Sequence, residues 1–295
     1  MGAGDAVILV VGDVVDDIGV RPLEPVNPRS DTRAEVRMTA GGSGANTAAW
    51  LGHLGAPVRF FGKAGVDGVE RHGNALRDFT VDPRIVADPE LPTATIVLTL
   101  DDDADRTMYV DRAANGTLSA DDVPDDLLTG VRWLHVSGYT LFDENTRPVA
   151  LDLMARALDQ HAGVSVDPSS AGFLRQVGVE NFLEWIDGVD MIMPNLDEAR
   201  LLVGATGPFI DFDQLSSRFD HVVVTLGAMG AAYIGPSDRE QTTAARVQVI
   251  DTTGAGDAFA AGFLAAWTAG RGAKAALAGG SGAAQRCIQT RGARP

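Results

Sequence analysis

The stretch DTTGAGDAFAAGF (251–263) sets one carboxylate, Asp257, among glycine and alanine, directly ahead of an apolar run. Gly254 and Gly256 permit tight backbone geometry and close approach of a ligand. The run AFAAGFLAAW that follows is built of small, helix-favouring residues, so the segment reads as a turn opening a helix. The N–H groups of residues 254–257 then point outward at a helix N-terminus, where free amides and the helix dipole bind anions. The same dipole favours an ionised Asp257. A carboxylate beside a phosphate site can accept the proton of an attacking hydroxyl, and phosphoryl transfer needs such a base in addition to positioning and charge stabilisation. Asp257 can equally be a helix cap. Spacing alone leaves both readings open.

Other chemistries fail on spacing. The phosphate-loop signature G-x-x-x-x-G-K-[ST] is absent, and a dinucleotide fingerprint at 254 breaks at Phe259, where a third glycine is required. The five histidines are scattered, with no HExxH or Cys/His cluster for zinc. GGSGA (41–45) lacks the spacing of a nucleophile elbow. A formal charge of −16 argues against a general nucleic-acid binder, and no apolar run approaches the roughly 20 residues that span a bilayer. The start, MGAGDAVILVVGD, lacks the basic flank of a signal peptide and reads as a buried strand. One cysteine, Cys287, excludes an internal disulfide and fits a reducing compartment, so a cytoplasmic protein is expected. A phosphate-bearing substrate must therefore meet helix N-termini, scattered arginines or a metal ion.

The elements that must position this chemistry show as short aliphatic runs: VILVVG (7–12), VRFFG (58–62), TATIVLTL (93–100), VRWLHVSG (131–138), GVSVDP (163–168), VDMIMPN (189–195) and HVVVTLG (221–227). From residue 131 they alternate with helical stretches such as PVALDLMARALDQH (148–161) and LDEARLLVG (196–204). Continuous apolar strands separated by helices predict an α/β fold: a doubly wound, mainly parallel sheet with helices on both faces and ligands beyond the carboxyl ends of its strands. No linker divides residues 1–295, which read as one domain. Residues 18–40 and 93–113 break the rhythm with period-two alternation, the second pair of strands flanking an acidic turn. They read either as a small β-sheet lid or as hairpins on the edge of the main sheet. GGSGAN (41–46) and GGSGAA (279–284) look like a repeat, but their surroundings differ, and two glycine turns before small-residue helices explain them.

Several ordered segments carry a resemblance. DTTGAGDAFAAGF is similar to the C-terminal signature of the ribokinase-like (phosphofructokinase-B, PfkB) family of carbohydrate and nucleoside kinases, and GGSGANTAAWLGHLG (41–55) to its N-terminal signature. GDVVDD (12–17), NLDE (195–198) and TLGAMGA (225–231) resemble the family's substrate segment, N-x-x-E and T-x-G-x-x-G in the same order. The resemblance implies that Asp257 is the catalytic base and that Gly254, Ala255 and Gly256 form the anion hole. It implies that Asp17, Gly41, Gly42 and Asn46 hold the acceptor; an asparagine amide offers a polyol both a donor and an acceptor. Asn195, Thr225, Gly227 and Gly230 match nucleotide contacts, and Glu198 matches a residue that organises Mg²⁺ through water. Asp251 and Thr253 match a loop that binds K⁺ in many relatives. QTRGARP (289–295) has one residue fewer than the family's T-R-x-G-A and leaves K⁺ dependence open.

The implied activity is an ATP- and Mg²⁺-dependent kinase acting on a hydroxyl of a small sugar or sugar derivative. Val15 stands where ribokinases carry Asn in G-S-x-N-x-D, which weakens a ribokinase assignment. Arg112 falls in the expected lid strand where sugar-acid kinases of the 2-keto-3-deoxygluconate type use Arg; a solvated strand arginine is the alternative. A nucleoside kinase would need apolar or aromatic lid residues, for which Met108 and Tyr109 are the candidates. A non-catalytic sensor would be expected to lack Asp257 or the GAG loop. Lid sheets in the family often pair in homodimers, and TATIVLTL is apolar enough to take part. No nucleic-acid or membrane partner is expected.

Overall fold

The computed structural model describes residues 6–100, 106–207 and 210–295; the acidic turn expected at DDDAD (101–105) lies outside the described residues. Its strands, in chain order, begin with β1 (Val7–Val11), β2 (Val15–Pro22), β3 (Ala34–Gly41), β4 (Val58–Gly65), β5 (Asp82–Asp88), β6 (Ala94–Leu100) and β7 (Arg106–Asp111). They continue with β8 (Val131–Ser137), β9 (Gly163–Asp167), β10 (Met191–Ile192), β11 (His221–Thr225), β12 (Ala231–Ile234) and β13 (Arg239–Thr242).

Nine of these described strands form one sheet in the order β13-β12-β11-β10-β9-β8-β1-β4-β5. It is parallel from β11 to β5, and β12 and β13 add an antiparallel edge. Alternation along β1 explains why both faces are covered. Leu9 and Val11 enter one core with Val164 and Val166, while Ile8 and Val10 enter another with Phe259 and Phe263. The winding direction reverses between β1 and β8, the place where doubly wound sheets open a crevice at the strands' carboxyl ends.

The other four strands form a separate sheet in the order β3-β2-β6-β7, with β2 and β6 parallel and the outer pairs antiparallel. TATIVLTL belongs there and not to the main sheet. Asp16 fastens this sheet to the helix Val69–Arg77: Arg71 grips both its carboxylate oxygens and His72 Nε2 lies 3.0 Å from one of them. His72 is fully buried, which pushes its pKa down to about 4 and keeps the ring neutral.

Three expectations change. VDMIMPN contributes only the two residues of β10, because Pro194 has no N–H for a longer ladder. Strands β5 and β13 lie at the sheet's edges, where exposure dilutes the apolar signal, and β12, though buried, is only four residues long. GGSGAA is no turn: it lies inside the helix Gly272–Cys287, packed on the helix Ala255–Thr268. A Cβ at Gly279 would fall 2.6 Å from Gly262 O and one at Gly280 2.9 Å from Phe259, so these glycines let two helix backbones touch.

Candidate active site

The carboxyl ends of β1, β8, β9 and β11 and the inner face of the small sheet enclose a cavity of about 520 Å³. Asp17, Gly42, Asn46 and Arg112 line it on the side of the small sheet. Asn195, Glu198 and Thr225 line the opposite side, with Asp251, Thr253, Gly254, Gly256 and Asp257 along the floor. Ala255, Gly41, Gly227 and Gly230 are not part of the lining. Gly227 (φ 59°) and Gly230 (φ 106°) instead shape the turn between β11 and β12, where only glycine fits at 230 because a Cβ would meet Thr242 O at 1.9 Å.

Asp257 stands in the first turn of the helix Ala255–Thr268, which Gly254 opens in the left-handed conformation (φ 74°). The N–H groups of Gly256 and Asp257 are first-turn amides with no preceding carbonyl in their own helix. Ala255 differs from expectation, since its N–H donates to Thr252 O at 3.3 Å. The Asp257 carboxylate accepts from Ser43 Oγ at 2.8 Å and from Asn46 Nδ2 at 3.0 Å. The helix dipole does not settle its charge. Loss of water pushes Asp257 up to about 7, Asn46 and Ser43 pull the other way, and Asp167 and Asp13 add repulsion.

On the side of the small sheet, Asp17 and Thr39 are cross-strand partners on the inner face. Burial and the nearby Asp13 push Asp17 up to about 6, against the pull of Arg294. Gly41 makes room for it: a Cβ there would fall 1.9 Å from Asp17 Oδ2. Arg112 is the residue after β7 and not within it; its Nη2 donates to Tyr139 O at 3.1 Å and its Nε lies 3.4 Å from Asp143 Oδ2.

On the far side, Asn195 bridges to Thr225 and caps the helix Leu196–Leu202. Its Oδ1 accepts from Asp197 N and Glu198 N at 3.0 Å, and Glu198 Oε2 accepts from Asn195 N at 2.9 Å. N-x-x-E is thus a capping box in this fold. Glu198 is buried nonetheless, and Asp167 at the end of β9 shares its surroundings. Burial first, then mutual repulsion, raises Asp167; burial also raises Glu198. Two buried carboxylates that resist joint ionisation fit a divalent cation, which would relieve that repulsion. Asp251 Oδ1 accepts from Thr253 N and Oγ1, and its Oδ2 accepts from Gly292 N at 3.1 Å.

Sequence reasoning missed several cavity residues. Asp13 and Ser43 lie inside matched segments, but their roles depend on side-chain direction. Asp167 closes a strand that reads as ordinary core. Ile96, Leu98, Met108 and Val110 form an apolar inner wall, whereas Tyr109 points to the outer, exposed face. Alternation along β6 and β7 was the available signal.

The chain matches the family described as pfkB family carbohydrate kinase over residues 5–295. It is 29% identical to a fructokinase of Vibrio alginolyticus over 88% of this chain and 83% of that protein. It is also 29% identical to a ribokinase of Arabidopsis thaliana, over 98% and 77% respectively. The crystal structure of adenosine kinase from Sinorhizobium meliloti superimposes with a TM-score of 0.88 at 25% identity, covering 99% of this chain and 96% of that one. The chain belongs to the pfkB carbohydrate kinase family, and it is a kinase with the ribokinase fold. Among the described residues no helix is long and apolar enough to cross a membrane.

Gly41→Ala tests the expectation that Asp17 holds the acceptor. The added methyl must displace the Asp17 carboxylate, so the acceptor KM should rise about tenfold or more through one lost hydrogen-bonded charge, with the ATP KM unchanged. An unaltered acceptor KM in steady-state kinetics would show that Gly41 does not set the position of Asp17.

Proposed function

We propose that the protein transfers the γ-phosphoryl group of ATP to a hydroxyl of a small sugar or sugar derivative. The observation that carries this reading is the place of Asp257, on the cavity floor between the acceptor residues Asp17 and Asn46 and the opposite wall of Asn195 and Thr225. Asp257 takes the hydroxyl proton, the new O–P bond forms as the bond to the β-phosphate breaks, and ADP leaves. The N–H groups of Gly256 and Asp257, with the loop at Gly254, meet the charge on the phosphoryl oxygens. The carboxylates of Asp167 and Glu198 would hold Mg²⁺, which when bound supplies positive charge to the ATP phosphates. Asp251 and Thr253 remain the residues that would hold K⁺. Thr225 and Asn195 would contact the nucleotide, with Gly227 and Gly230 shaping that edge from outside the cavity. The small sheet acts as a lid that excludes water and suppresses futile ATP hydrolysis.

A nucleoside acceptor is the second reading, and the apolar wall favours it. Ile96, Leu98, Met108 and Val110 offer a nucleobase a surface that a free sugar does not need. A sugar acid fits less well, because Arg112 already has Asp143 beside it and serves as a wall of the acceptor subsite. We place a second copy of the chain on the outer face of the lid, where Val36, Met38 and Tyr109 are exposed.

Three measurements test this function. Asp257→Asn should lower kcat by about 100-fold or more while ATP and acceptor still bind, the contribution typical of a general base; near-normal turnover would remove Asp257 from that role. Coupled ADP release across fructose, ribose, a sugar acid and adenosine should respond to a neutral sugar or a nucleoside. The sugar acid as best acceptor would overturn the assignment of Arg112. Sedimentation at micromolar concentration should show a dimer that Met38→Asp dissociates, and a monomeric parent protein rejects the pairing.

A further inference from the structure

Arg294 enters the site from the C-terminal segment. Its Nε donates to Asn46 Oδ1 at 3.2 Å, and its Nη2 donates to Gly41 O at 2.9 Å. Asn46 in turn donates from Nδ2 to Asp257 Oδ2 at 3.0 Å. A side-chain amide has one accepting end and one donating end. With Arg294 on the oxygen, Asn46 can present only its NH₂ group to Asp257. The flipped amide would set NH₂ against a guanidinium and oxygen against a carboxylate, two repulsions in place of two hydrogen bonds. The cation fixes the amide, and the amide fixes the carboxylate.

The segment that carries Arg294 is itself held. Trp50 Nε1 donates to Ala293 O at 2.8 Å, and Gly292 N donates to Asp251 Oδ2. Gly254 is needed for the close fit, since a Cβ there would fall 2.5 Å from Ala293 Cβ. The placement is costly for a cation. Arg294 Nη1 is buried without a hydrogen-bond partner among the described residues. Burial pulls Arg294 down to about 10, and Asp17, Asp257 and Asp13 pull it back. An unmatched buried N–H weakens the fold, so the return on it lies in the three carboxylates that Arg294 faces.

We propose that Arg294 is a positioning residue of the kinase reaction: by holding the Asn46 amide in one orientation it aims the Asp257 carboxylate at the acceptor hydroxyl. The inference rests on Asp257 as the base.

The test is a double-mutant cycle on the full chain with Arg294→Gln, Asn46→Ala and both together, plus Arg294→Lys. Arg294→Gln should lower kcat about tenfold to a hundredfold, as for a lost hydrogen bond to a charged group, with the ATP KM unchanged. The double variant should be no worse than Asn46→Ala alone, because the two residues act in series. Arg294→Lys, which keeps charge and a donor, should recover much of kcat, and it carries the test if Arg294→Gln melts below the assay temperature. Multiplicative losses in the double variant, full kcat in Arg294→Gln, or a matching rise in the ATP KM each overturn the proposal. Asp257→Asn with normal turnover would mean that the base reading had failed. An inactive Asp257→Asn beside a multiplicative cycle would remove only the role of Arg294.

Discussion

Two hydrogen bonds, from Ser43 and Asn46 to the Asp257 carboxylate, join residues 214 and 211 positions apart. Donors and acceptor lie in the first turns of two helices, Ser43–His53 and Ala255–Thr268, so two positive helix ends face one carboxylate. Burial opposes that field, and the balance holds the Asp257 carboxyl at about 7. The surrounding architecture serves this meeting. A Cβ at Gly12 would fall 2.8 Å from Gly44 Cα, so the end of β1 and the start of the helix Ser43–His53 can touch only as glycines. Gly44 N then donates to Asp13 at 3.1 Å.

The small sheet depends on a similar division of labour between neighbours. Asp16 and Asp17 point to opposite sides of β2. Asp16 is clamped by Arg71 and His72, and Asp17 is thereby turned to the cavity, beside Thr39 and Gly41 and within reach of Asp13 and Arg294. Fastening one residue of a strand fixes the direction of the next.

The parallel sheet was legible because buried strands announce themselves as uninterrupted aliphatic runs, as in VILVV and HVVVT. The edge strands β5 and β13 were not, since much of each faces water, and the buried β12 is too short to stand out. In the site, the motifs located Asp17, Asn46, Glu198 and Asp257, which the fold brings around one cavity. What stayed hidden was pairing at a distance. Nothing local marks Asp167 as the neighbour of Glu198 or Arg294 as the partner of Asn46, because sheet order and a returning C-terminal segment create those contacts. For Asp257 the helix dipole is visible at a helix start, whereas the burial that raises its pKa is not.

The contact between Arg294 and Gly41 spans 253 residues. A growing polypeptide can therefore complete its first strands, and much of its sheet, long before the cavity has its last charge. During synthesis the carboxylates of residues 13 and 17 are made long before the guanidinium of Arg294 that comes to face them. Closure of so long a loop is among the slow events of folding. The guanidinium of Arg294 thus joins Gly41 and Asn46 only through the closure of one very long loop.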